Sequence, residues 1–153
     1  MPFTIINGDI TKIKTDAVVN AANSALKKGG GVCGAIFDAA GADELQARCD
    51  AIGHCNVGEA VITEGFALPA KFIIHTVGPL WQGGRNGEER LLSLSYQNSL
   101  ALAEKHGLTS IAFPLISSGI FGYPKEDART VAETAIAEFL KERDMEVFLV
   151  LFS

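Results

Sequence analysis

Asn20 and Asn23 stand three residues apart where the apolar run Ala17-Val18-Val19 gives out, and three consecutive glycines, Gly29, Gly30 and Gly31, follow them. An amide donates and accepts without carrying charge, which suits it to hydroxyl groups. Glycine tolerates positive φ and lets another group come close to the backbone. Behind the glycines, Val32 to Ala40 is apolar, alanine-rich and helical in character. The first N–H groups of such a helix lack partners inside it and lie at the positive end of its dipole, so the glycine loop is a candidate phosphate cradle. Taken alone, the glycines are also compatible with a tight left-handed turn that binds nothing.

Two further stretches add to that chemistry. Ser117 to Gly122 is a second loop rich in glycine and free N–H groups, suited to phosphate. Gly8-Asp9-Ile10-Thr11 offers a carboxylate at Asp9 that could accept from an exocyclic amine. Phosphates, an amino-purine and a sugar together describe a nucleotide derivative. Ser117 and Ser118 lack the GxSxG elbow of a serine nucleophile, and no histidine or acid is placed to activate them.

These loops need strands to carry them. Phe3 to Asn7, Ala17 to Asn20, Glu59 to Thr63, Lys71 to Val77, Ser110 to Pro114 and Glu146 to Phe152 read as strands. Helices are expected over Val32 to Ala40, over Ala42 to Ile52 with Leu45, Cys49 and Ile52 on one face, and over Glu88 to Lys105 with Leu91, Leu94 and Leu102 as apolar positions. A last helix starts at Pro124, with Glu126 and Asp127 in its first turn and Val131, Ala135, Phe139 and Leu140 on its apolar face. Alternating strands and helices argue for an α/β sandwich with a mostly parallel sheet and helices on both faces. In such sheets ligands bind at the carboxyl ends of the strands, and each of the three loops follows a strand. The expectation is a single domain over residues 1–153, with two alternatives open for its abrupt end, a truncated chain or a fold without a closing C-terminal helix.

Composition narrows the function. A net charge of -5 argues against an electrostatic grip on nucleic acid, so an anionic ligand would be held by backbone N–H groups and helix termini. No apolar run approaches the roughly 18 residues of a membrane span, and no secretory signal is visible, so the chain reads as intracellular and cytoplasmic. Three cysteines, Cys33, Cys49 and Cys55, are read as reduced thiols. Cys49, His54 and Cys55 cluster, but with no CxxC pair and no second ligand group no metal or other cofactor is expected. His75, inside an apolar strand, reads as a hydrogen-bonded core histidine, and His54 and His106 as surface turn residues. Trp81 either flanks the cleft or caps the fold.

The stretches GDITKIKTDAVVNAAN, GGGV-GAI, AAG, IIHTVGP and FPLISSGIFGYP stand in an order and spacing that resembles the macrodomains, ADP-ribose-binding modules, and within them the MacroD-type deacetylases and hydrolases. The resemblance spans nearly all of residues 3–152 and implies a three-layer α/β/α fold around a mostly parallel mixed sheet. It also implies residue roles. Asp9 would bond the adenine amine and Ile10 would line its pocket. Gly30, Gly31, Val32 and onward to Ile36 would hold one phosphate at the helix N-terminus. Ser117, Ser118, Gly119, Ile120, Phe121 and Gly122 would hold the diphosphate, with Phe121 on the distal ribose. Asn23 would bond a hydroxyl of that ribose, Asn20 would brace the loop, and Phe152 would pack beside adenine. The ligands implied are ADP-ribose, its derivatives and mono-ADP-ribosylated proteins, bound by a monomer.

The resemblance breaks at its most chemical position. MacroD-type hydrolases read GGGVDGAIH, whereas Cys33 and Phe37 occupy the aspartate and histidine positions here. A cysteine side chain is mostly protonated at neutral pH and makes a poor general base. Macrodomains of some RNA viruses are similar in carrying a cysteine there with an aromatic four residues later, a group associated with hydrolysis of protein-linked ADP-ribose. Phe37 is open between core and site. Two functions follow: hydrolysis at the distal ribose, releasing ADP-ribose from modified side chains or acetate from O-acetyl-ADP-ribose, or ADP-ribose recognition without turnover. The intact set of Asn20, Asn23 and three glycines favours the enzyme, with Asn20, Asn23 and Cys33 as its catalytic candidates.

Overall fold

The computed structural model describes residues 3–151. Six short strands rich in Val, Ile and Phe build one sheet: β1 (Phe3–Asn7), β2 (Ala17–Ala21), β3 (Ala60–Glu64), β4 (Phe72–Thr76), β5 (Ser110–Phe113) and β6 (Glu146–Leu151). Their spatial order is β1-β6-β5-β2-β4-β3, and every pairing is parallel except β3 with β4. Four helices cover it: α1 (Gly31–Ala40), α2 (Ala42–Ile52), α3 (Glu88–Lys105) and α4 (Lys125–Leu140).

The strands are apolar on both faces because both faces are covered. Val19, Ile74, Ile111, Phe113, Val147 and Leu149 pack with α3 and α4, whereas Val18, Ile73, Ala112 and Val150 pack with α1 and α2. The result is the expected three-layer α/β/α sandwich, with the helix starts and stops close to the expected ones. Gly53 ends α2 at φ 89°, a conformation that costs a side chain energy and glycine little.

Two packing expectations need correction, and one that was open is decided. Ile52 is 40% exposed: it is the last residue of α2, beyond Leu45 and Cys49, the residues of that helix that are buried. The buried stripe of α3 is Leu92, Ser95, Tyr96, Ser99, Leu100 and Ala103, offset from the leucines expected to form it. Leu91 and Leu94 instead lie against Gly58, whose carbonyl accepts from Asn98 Nδ2 at 2.6 Å. Phe37 is 1% exposed and belongs to the core under α1.

Glu88, 2% exposed at the start of α3, folds the polar loop before it. Its carboxylate accepts from the backbone N–H groups of Gln82, Gly84 and Asn86 at 2.8, 3.0 and 2.7 Å. Burial works to raise its pKa, and these donors outweigh burial and hold it below the ordinary carboxylate value. Those bonds therefore persist above the ordinary value and are lost as pH falls through the lowered one. In Glu88→Gln one oxygen acceptor disappears and the charge with it. Amide exchange at Gln82, Gly84 and Asn86 is expected to quicken about tenfold, measured by hydrogen–deuterium exchange; unchanged exchange would show that the loop holds its shape without the carboxylate.

Candidate active site

At the carboxyl ends of the parallel strands lies a cleft of about 850 Å³. Its lining brings together Asp9, Ile10, Asn23, Gly30, Gly31, Val32, Cys33, Ser117, Ser118, Gly119, Ile120 and Phe121, which the sequence places in three separate loops. Asn20, Ile36 and Gly122 do not line it. Asn20 and Ile36 are 1% and 0% exposed and lie beneath its floor. Phe152 lies outside the described residues. Several lining residues were not singled out as site residues from the sequence: Gly78 and Leu115, although they lie in IIHTVGP and FPLISSGIFGYP, and Lys125, Glu126 and Arg129 from the first turns of α4.

The first wall is the start of α1. Gly30 is its N-cap and has no side chain to satisfy the first-turn N–H groups, and Gly31 follows at φ 57°. The glycine loop in front of it is pinned from within. Asn23 Nδ2 donates to the Lys27 carbonyl at 2.8 Å while Lys27 N–H donates to Asn23 Oδ1 at 3.0 Å. Lys28 N–H donates to Gln46 Oε1 on α2 at 2.9 Å. Both ends of the Asn23 amide are thus engaged once, leaving one N–H and one lone pair for a ligand.

The second wall is the Ser117–Gly122 loop. Ser117 takes φ 68° and Gly122 φ 77°. The turn closes through Tyr123 N–H to Ser117 O at 2.9 Å and Gly122 N–H to Gly119 O at 3.0 Å. The N–H groups of Gly119, Ile120 and Phe121 have no partner among the described residues and form a concave set of donors suited to an anion. Tyr96 of α3 braces the entry to this loop: its hydroxyl donates to Pro114 O at 3.1 Å and accepts from Ile116 N–H at 3.0 Å. Burial pushes that phenol well above the ordinary tyrosine value, so it stays protonated as the double bond requires. Trp81 is not among the cleft-lining residues; its backbone N–H donates to Phe121 O at 2.8 Å and its ring lies 4.7 Å from that of Tyr123.

At the cleft's far end Asp9 caps a short 3₁₀ turn, Ile10–Lys12. The Thr11 hydroxyl and then the Thr11 N–H, at 2.7 and 3.0 Å, hold its carboxyl below the usual range. Both bonds fall on Oδ1, so Oδ2 is left as an acceptor facing a lining that includes Ile10, Val150 and Leu151. Asp9 therefore has a local structural duty that the sequence did not reveal, compatible with accepting from an amine.

Cys33 lines the cleft at the Asn23 end and is 7% exposed. Its Sγ is 3.7 Å from Asn20 Nδ2 and 3.8 Å from the Lys27 carbonyl. Among the described residues no imidazole bonds the sulfur; the Asn20 amide stands between it and His75. His75 itself is fully buried, as expected of a core histidine, between Asn20 Nδ2 at 3.1 Å and Thr63 Oγ1 at 3.0 Å. Cys49 and Cys55 are free and buried and do not line the cleft; burial, aided at Cys49 by the neighbouring Cys33, pushes both thiols up to about 11. The arrangement thus offers two sets of backbone donors for phosphates, an acceptor at one end, and an amide beside a thiol at the other.

A family model described as Macro domain matches residues 19–132. A macro domain-containing protein of Methanosarcina mazei is 49% identical over 151 residues, covering 97% of this chain and 80% of the relative. A protein of Cronobacter turicensis named O-acetyl-ADP-ribose deacetylase is 47% identical over 156 residues, covering 98% of this chain and 88% of the relative. Among solved structures, the Oceanobacillus iheyensis macrodomain with ADP superposes with a TM-score of 0.91 at 46% identity, covering 97% of this chain and 82% of that one.

Proposed function

We propose that this chain, which belongs to the macro domain family, binds ADP-ribose in the cleft and hydrolyses ester-type bonds at its distal ribose. The observation that carries the reading is the convergence of the two donor-rich walls, Gly30–Cys33 and Ser117–Phe121, on one cleft with Asp9 at one end and Asn23 at the other. A diphosphate fits between the donor sets, an adenine amine reaches Asp9 Oδ2, and the distal ribose falls beside Asn23, whose remaining N–H and lone pair suit a sugar hydroxyl. The name borne by the Cronobacter turicensis relative supports O-acetyl-ADP-ribose as one substrate; mono-ADP-ribosylated protein is the other.

The hydrolytic step adds water across the ester: the water oxygen bonds the acyl carbon, the ester C–O bond breaks, and the acid leaves with ADP-ribose regained. Cys33 Sγ meets Asn20 Nδ2 and the Lys27 carbonyl, with no imidazole or carboxylate among the described residues bonded to it, so the thiol has no partner to activate it and neither activates the water nor forms an acyl intermediate. Positioning supplies the acceleration: Asn23 holds the ribose, the bound phosphates help to position the attacking water, and the proton that the water sheds ends on the ribose oxygen as the ester C–O bond breaks. No metal or cofactor takes part.

The test is turnover of O-acetyl-ADP-ribose and of glutamate-linked mono-ADP-ribosyl protein by the parent and by Asn23→Ala, with ADP-ribose affinity measured by calorimetry on both. In Asn23→Ala kcat is expected to fall about 100-fold while affinity changes less than about fivefold, the pattern of a group whose main duty is alignment. A parent chain that binds ADP-ribose and turns over neither substrate is a recognition module, and the hydrolase reading falls.

A further inference from the structure

Beneath the cleft a line of polar contacts runs across the sheet and ends at Asn23. It starts on β3, where Thr63 Oγ1 lies 3.0 Å from His75 Nε2 of β4. His75 Nδ1 lies 3.1 Å from Asn20 Nδ2 of β2, its in-register partner across the β2–β4 pair. Asn20 Nδ2 also reaches Cys33 Sγ of α1 at 3.7 Å, and Cys33 Sγ reaches the Lys27 carbonyl at 3.8 Å. That same carbonyl accepts from Asn23 Nδ2 at 2.8 Å. The first four residues of the line are 8%, 0%, 1% and 7% exposed and sit within the apolar cluster under α1 and α2.

A buried polar stripe in an apolar cluster is costly unless satisfied, and leucine or valine would fill the same sheet face without that demand. The stripe also leaves a buried atom without a partner: Asn20 Oδ1. The pairings explain why the amide accepts that cost. Thr63 Oγ1 donates to Glu64 O at 3.2 Å and so accepts from His75 Nε2–H. Nδ1 is then an acceptor and draws Nδ2 of Asn20 toward it, fixing which end of the amide faces the sulfur. The amide N–H so placed turns the Cys33 S–H toward Lys27 O, the carbonyl around which the Asn23 loop closes.

We infer that His75 and Thr63 are positioning residues, which act through Asn20 and Cys33 to fix the Asn23–Lys27 loop at the distal-ribose end of the cleft. Cys33 serves as the joint of that line, a role in which a weakly bonding sulfur suffices. The inference rests on the proposed placement of the distal ribose beside Asn23, and its test separates the two.

The comparison is among the parent chain, His75→Leu, which removes the acceptor, and His75→Asn, whose side-chain oxygen restores it at the position of Nδ1. Two readouts are used. In the free protein, the NMR signals of the Asn23 side-chain amide and the Lys27 N–H are expected to shift in His75→Leu and to return toward the parent positions in His75→Asn. In calorimetry, His75→Leu is expected to bind ADP-ribose about threefold more weakly, no more than Asn23→Ala does, while binding ADP, which lacks the distal ribose, as the parent does; His75→Asn recovers most of the loss. Equal weakening of both ligands, or unmoved Asn23 and Lys27 signals in folded His75→Leu, overturns the inference and leaves His75 a packing residue. If the parent binds neither ligand, the functional reading fails, and the NMR comparison alone decides whether the line holds the loop.

Discussion

Replacing Gly34 by alanine is expected to weaken ADP-ribose binding at least 100-fold and to lower stability by about 1–3 kcal/mol, the range for forcing extra volume into a packed site. A Cβ at Gly34 would stand 2.5 Å from the carbonyl oxygen of Gly29 and 3.6 Å from its carbon. The obstacle is backbone, so no rotamer change relieves it. Helix α1 cannot retreat, because Ile36 and Phe37 on its buried side are 0% and 1% exposed. The glycine loop must move instead, against the Asn23–Lys27 and Lys28–Gln46 bonds that hold it. Displacing Gly29 carries the first-turn N–H groups of α1 off their aim, which is where the phosphates are proposed to sit. Gly8→Ala is the control: nothing lies within 4 Å of the added carbon and its φ is not positive. Calorimetry and thermal melting of both variants decide the matter, and a Gly34→Ala chain that binds like the parent would mean that the loop contributes little to affinity.

The contrast between those two glycines shows what the sequence could and could not convey. The run GGGVCGAI signals a turn into a helix, because glycine's permissiveness is a property of the residue. Which glycine meets another backbone depends on how the loop folds over α1, and Gly34 reads as one more small residue in a helix. The strands were legible because a sheet buried on both faces needs continuous Val and Ile, whatever the neighbours. The α3 stripe was misplaced because leucine was taken as the marker of burial. The helix buries Ser95, Tyr96 and Ser99 instead, with hydroxyls that bond backbone carbonyls at Val77, Pro114 and Ser95. Asn20 and Asn23 were singled out as a pair, yet they do different work: one is buried against His75 and Cys33, the other rims the cleft. Spacing of three at a strand's end does not reveal that difference, since it depends on where the chain leaves the sheet just past β2. His75 was legible as a core residue from its apolar strand, but its partners come from the register of three strands that no local pattern encodes.

Acid should destabilise this protein through that histidine well before its carboxylates titrate. Burial lowers the His75 pKa from an ordinary 6.5 to about 4. The sign follows from which state binds the proton. Above pH 6.5 His75 is neutral folded and unfolded, and its contribution does not vary. Below 6.5 the unfolded chain takes up a proton that the folded chain refuses until pH approaches 4, so folding stability falls as pH falls. The slope approaches 1.4 kcal/mol per pH unit, and the loss across the window comes to about 3 kcal/mol. Asp9, Asp16, Asp50 and Glu88 all have lowered pKa values, so their stabilising bonds are lost only below the ordinary carboxylate range, at the acid end of this window or beyond it. His54 and His106 are exposed. Urea unfolding at pH 7, 6, 5 and 4.5 should therefore show a steady decline in the parent and a markedly flatter profile in His75→Asn, which keeps an acceptor for Asn20 but has no proton to gain. Parallel profiles for the two chains would place the acid sensitivity elsewhere. The same protonation turns Nδ1 into a donor facing the Asn20 Nδ2 donor, so the line to Cys33 and Lys27 breaks as the charge arrives. Loss of ADP-ribose affinity through this break is therefore expected only as pH approaches 4, where the folded protein takes up that proton; loss of affinity near pH 6 would have another origin.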